Sequence, residues 1–142
     1  MNKTKKIIGI LLFLHIIGLS FAQEYKIIIN DDNPISSITI DKLDKIFLKK
    51  VTKWNDGSKI NPVNLTAEST VREKFTQTVH DKKISAINAY WQKQIFTGKG
   101  VPPVEKKSDQ NVIQYIKANP GAIGYVSASA NTAGVKVIQV AN

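Results

Sequence analysis

Short β-rich runs alternate with stretches of helical periodicity from Tyr25 to Val140. "YKIII" (25–29), "AIGYV" (122–126) and "VKVIQV" (135–140) are rich in β-branched residues, and "NDDNP" (30–34) closes the first as a turn. "INPVNL" (60–65) reads as an edge or buried strand that tolerates Pro62 near its start. Between the strands, Leu43, Ile46 and Phe47 fall at helical spacing with Asp41 as a cap, which predicts a helix over 41–50. Val71, Phe75 and Val79 lie four apart, and Ile84, Ile87, Trp91 and Ile95 recur at three and four. Ser108 caps a helix carrying Val112, Ile113 and Ile116, and "NPG" (119–121) ends it. Strands joined through helices imply an α/β domain with a mixed, mostly parallel sheet flanked by helices.

The first residues follow a different order. "MNKTKK" is basic, Ile7 to Phe21 are largely apolar, and Ser20 and Ala22 are small residues three and one before a cut. This predicts a cleavable signal peptide over 1–22 and a single domain over 23–142. Removing 22 residues from 142 leaves 120, enough for one core. Three lysines and no acid leave with the signal, so the formal charge falls from +9 to +6. A basic exported chain attracts anions, but its lysines are scattered and no RNP-like segment is present, which argues against nucleic acid. The chain has no cysteine, which excludes disulfides, thiol chemistry and a lipidated anchor. The expected location is the periplasm, with no membrane span in the mature chain.

Most candidate chemistry fails on spacing. His80 would be the one histidine remaining, at the end of a helix where its positive form suits the dipole. The oxygen-rich run 31–44 lacks the glycine and the terminal glutamate of a calcium loop. "GKG" (98–100) lacks phosphate-loop spacing, and no Gly-x-Ser-x-Gly elbow occurs. Tyr90 and Trp91 read as core, with sugar stacking as their other role. No enzyme, metal or cofactor is expected. There remains "AESTVREKF" (67–75): Ser69 as N-cap, Thr70 behind it and Arg72 one turn along. A helix start offers N–H groups and partial positive charge to an oxyanion, and Arg72 could add a bidentate contact. Spacing alone leaves a plain cap and an anion cradle both open, and Glu68 and Glu73 place negative charge beside it.

"DKLDKIFLKKVTKWNDGSKINPVNL" (41–65), "STVREKF" (69–75), "YWQKQIFTGKGVPP" (90–103) and "NPGAIGYVSA" (119–128) together resemble the phosphate-binding protein family of ABC transporters. The resemblance implies a type 2 periplasmic-binding-protein fold, present here as a single lobe, in an exported solute-binding protein for phosphate or a similar oxyanion. Family members hold the anion on a Ser-Gly-Thr-Arg helix start that ends in Phe. With Phe75 matched, Ser69 and Arg72 agree, whereas Thr70 stands where glycine is expected and Val71 where threonine is. The resemblance therefore implies anion binding by Ser69, Thr70 and Arg72, with the opposing surface supplied by a homodimer or a separate partner chain. The alternative is an envelope protein-interaction or sensory module that keeps the lobe without a solute.

Overall fold

The computed structural model of the protein describes residues 24–142. The expected signal peptide and its cleavage point lie outside the described residues. Six strands form one sheet: β1 (Tyr25–Ile29), β2 (Ser37–Thr39), β3 (Asn61–Leu65), β4 (Val104–Lys106), β5 (Ala122–Ser127) and β6 (Lys136–Ala141), in the order β2-β6-β1-β5-β3-β4. β1 is antiparallel to both β5 and β6, and the other three pairings are parallel. Five strands thus run one way and β1 alone runs the other, which is the mixed, mostly parallel sheet expected. "INPVNL" is an interior strand, between β5 and β4. Its Pro62 is accommodated because the pairing with β4 begins one residue later, at Val63.

Four helices flank the sheet: α1 (Ile40–Phe47), α2 (Thr70–His80), α3 (Ile84–Phe96) and α4 (Asp109–Ala118). The expected cap of α1 is corrected. Thr39 occupies that position, its hydroxyl accepting the Lys42 N–H at 3.2 Å, while Asp41 sits inside the first turn and pairs with Lys45 at 2.7 Å. α1 also stops at Phe47 rather than at position 50, because Lys49 adopts a left-handed φ of 54°. The Lys49 and Lys50 N–H groups then bond back to the Ile46 and Lys45 carbonyls, closing the helix end.

The core centres on an aromatic stack. The Phe75 ring lies flat on Tyr125, with centroids 3.9 Å apart and planes at 8°, while Phe47 and Tyr25 meet Phe75 edge-on at 4.7 and 5.6 Å. Each such pair is worth roughly 0.5–1.5 kcal/mol beyond simple burial, and together they bind α1 and α2 to β1 and β5. α3 is attached differently. Its Ile87 and Trp91 are buried only in a small separate cluster with Leu48, edged by half-buried Tyr90, whose hydroxyl donates to the Leu48 carbonyl at 3.0 Å.

His80 closes α2, but its positive form is not the one the fold favours. Burial pushes the imidazole below its ordinary pKa, against the opposing pull of Asp44, whose Oδ1 is 2.7 Å from Nδ1. A base whose pKa is depressed on folding leaves the unfolded chain binding more protons. Stability is therefore complete above about pH 6.5, the unfolded value, and declines as pH falls through the lower folded value. Urea midpoints taken from pH 7.5 down to pH 5 should fall, and His80→Gln should flatten that part of the profile.

Candidate functional site

α2 begins where the hydroxyl spacing places it. Ser69 is the N-cap in an extended conformation, and its Oγ accepts the Arg72 N–H at 3.2 Å. The Glu73 N–H reaches the Ser69 carbonyl at 3.1 Å. The intervening Thr70 and Val71 N–H groups make no hydrogen bond among the described residues. Two amide donors thus stand open at the positive end of an eleven-residue helix. The Thr70 side chain is exposed beside them.

Arg72 is buried beneath this end rather than free in solvent. Its side chain is 4% exposed, and Nη1 donates to Glu105 Oε1 at 2.6 Å and to the Leu65 carbonyl at 2.9 Å. Glu105, in β4, has a side chain 47% exposed. One guanidinium nitrogen is therefore already engaged by a carboxylate of the protein itself. Below it, the Tyr125 hydroxyl accepts the Leu65 N–H at 3.3 Å and donates to Asn64 Oδ1 at 3.0 Å. Burial pushes the Tyr125 phenol far above its usual range, so it stays protonated. The carboxyl of exposed Glu68 is held below the usual carboxylate range, first by its own backbone N–H, then by the Thr66 hydroxyl, with a smaller pull from Arg72. A carboxylate of the protein itself thus already stands in the loop ahead of α2.

Topology sets this helix start at the carboxyl end of the sheet's parallel strands. α2 follows the carboxyl end of β3, and α4 follows that of its parallel neighbour β4. Ligands of open α/β sheets enter at the carboxyl ends of parallel strands. At the start of α4, Ser108 is the cap and Asp109 accepts the Ser127 N–H at 3.0 Å and the Ser127 hydroxyl. A cavity of about 380 Å³ bordered by Asn33, Trp54 and Gly121 lies at the opposite end of the sheet, where β3 and β5 begin. It includes none of Ser69, Thr70 and Arg72. Among the described residues, no cluster of three or more His, Asp or Glu could hold a metal ion, and no helix is long and apolar enough to cross a membrane.

Sequence reasoning names Ser69, Thr70 and Arg72 as candidates and does not point to Glu105. Only the pairing of β4 with β3, which sets Glu105 beside Asn64, brings that carboxylate to Arg72, 33 residues away.

The chain matches no curated protein sequence. Among solved structures it is similar to an ABC-type phosphate transport receptor from Vibrio cholerae, at 22% identity and a TM-score of 0.66, over 82% of this chain and 46% of that one. A Clostridium perfringens protein solved with bound phosphate matches at 21% identity and a TM-score of 0.67, over 82% and 44%. PstS from Borrelia burgdorferi matches at 19% identity and a TM-score of 0.64, over 82% and 47%. The chain spans less than half the length of each, and at these identities the likeness is one of fold: a single lobe of a larger architecture. The family described as the PBP superfamily domain matches residues 23–139, and the chain belongs to that superfamily.

Proposed function

We propose that the chain is an exported, non-enzymatic solute-binding lobe that takes phosphate or a similar oxyanion at the start of α2. The observation that carries this reading is the pair of unpartnered N–H groups at Thr70 and Val71, open at the carboxyl end of β3. Ser69 keeps that helix start in shape through its cap, the exposed Thr70 hydroxyl adds a donor, and Arg72 supplies positive charge from below. The names of the solved structures, a phosphate transport receptor and a protein holding phosphate, are consistent with the same ligand class. One lobe leaves half of the anion in water, where its bonds are screened. The expected dissociation constant is accordingly on the order of 1 mM for the lobe alone. It should tighten when a second copy or a partner chain covers the open side. Calorimetry of the full chain with phosphate and with sulfate tests the proposal; absence of both heat and thermal shift at millimolar anion rejects it.

One observation favours a second reading. Arg72 turns inward to Leu65 and Glu105, so the lobe itself supplies both partners of Nη1. An envelope protein-interaction or sensory module would need no more than that. Crosslinking to an envelope partner, undiminished by phosphate, would support it.

A further inference from the structure

The far end of α3 carries the most exposed large apolar side chains of the described residues. Phe96 is 92% exposed, Val101 62% and Ile95 54%. The stripe Ile87, Trp91, Ile95 continues at helical spacing, but the lobe covers only its first two members. Phe96 does not sit on a frayed end. The Gly98 N–H bonds to the Ile95 carbonyl at 3.1 Å, and the Lys99 N–H bonds to the Gln94 carbonyl at 2.9 Å. Gly98 takes a left-handed φ of 68°, which completes a Schellman closure. The Thr97 hydroxyl adds a bond to the Lys93 carbonyl at 2.8 Å. Gly100 then passes beside the Trp91 ring, and exposed Val101 follows it. Phe96 and its apolar neighbours thus form a fixed, protruding tip.

Its charge is one-sided. Residues 82–104 contain four lysines, at 82, 83, 93 and 99, and no acid. None of the four has an ion-pair partner among the described residues. Lys93 lies one turn from Phe96, and Lys99 is bonded back onto the same last turn. Large apolar groups flanked by lysines match an interface that is apolar inside and negative at its surface. Lysine is depleted where proteins meet proteins, which weighs against a protein partner. We propose that this tip docks onto an anionic phospholipid surface, with Ile95, Phe96 and Val101 entering between headgroups and Lys93 and Lys99 contacting lipid phosphates.

The test reads position rather than attachment alone, because the apolar run at 7–21 gives the full chain a second means of reaching lipid. The chain contains no cysteine, so Gln92→Cys, one turn from Phe96, can carry a single polarity-sensitive dye, with exposed Gln77→Cys on α2 as the control on another helix. Phosphatidylglycerol vesicles should shift the emission at position 92 to the blue and leave position 77 unchanged. Phosphatidylcholine vesicles should do neither, and high salt should reverse the shift. Phe96→Ser, at an exposed site that leaves folding intact, should weaken the vesicle response about tenfold or more. Lys93→Gln and Lys99→Gln should each weaken it roughly fivefold. A dye at 92 that stays in water on anionic vesicles overturns the proposal, as does a shift that survives Phe96→Ser. It is equally overturned if position 92 shows no vesicle response and Phe96→Ser instead dissociates a dimer in sedimentation velocity, since the face would then join two copies.

Discussion

Gly121→Ala is expected to destabilise the lobe by about 3 kcal/mol or more, seen as a large drop in the urea midpoint. The reason is distance rather than conformation, since Gly121 is not among the positive-φ residues. A Cβ at this position would stand 2.0 Å from the Lys59 carbonyl oxygen. That oxygen is backbone and cannot turn aside as a side chain would. The Gly121 carbonyl also accepts the Asn61 N–H at 3.0 Å and the Trp54 indole N–H at 3.1 Å, so any shift loosens the start of β3 and the turn around Trp54 together. A domain of this size has on the order of 10 kcal/mol in total, so the loss is a substantial fraction of its stability. The "NPG" stretch, read as a helix stop, is therefore also a point of close backbone crossing. A variant midpoint equal to that of the parent would show that the two segments part without cost.

The segments legible in the sequence are those whose cause is local. "YKIII" becomes β1 and the periodic runs become α2, α3 and α4, because burial on one face follows from spacing. Ser69 and Ser108 cap helices as expected, since a cap is settled within three residues. The cap of α1 is misassigned to Asp41 for the same reason: Thr39, two residues earlier, is also a cap residue and takes the position, and the hydrophobic spacing of Leu43, Ile46 and Phe47 does not separate the two. β2 and β4 escape such reading because three residues cannot display an alternation, and each exists through its neighbour, β6 or β3. Ile95 shows the opposite limit, a periodic residue whose stripe outruns the surface available to cover it. At the candidate site the same division holds. The Ser69 cap and the open N–H groups are written in the run from Ser69 to Arg72, whereas the inward turn of Arg72 depends on Glu105 from a strand that spacing does not reveal.

Glu105→Gln should tighten phosphate binding about fivefold to tenfold, and Arg72→Ala should abolish it. Glu105 holds Arg72 Nη1 at 2.6 Å and so competes with any incoming anion for the guanidinium. Replacing its carboxylate by an amide keeps a hydrogen-bond acceptor and removes the competing charge, a change of roughly 1–1.5 kcal/mol. Folding should lose about 1–2 kcal/mol, because the amide oxygen can still accept from Nη1 but the buried Arg72 guanidinium, 4% exposed, loses its counter-charge. Arg72→Ala differs on both counts. It removes the proposed ligand and leaves the buried Leu65 carbonyl without its donor, at a cost of about 2–3 kcal/mol in stability. Calorimetry on the two single variants and the double variant separates the roles: the double variant should bind no phosphate, as with Arg72→Ala alone, because Glu105→Gln acts only through the arginine. If Glu105→Gln leaves affinity unchanged while Arg72 is present, the arginine is a strut for the end of β3. Any anion held there would then rest on the Thr70 and Val71 N–H groups alone.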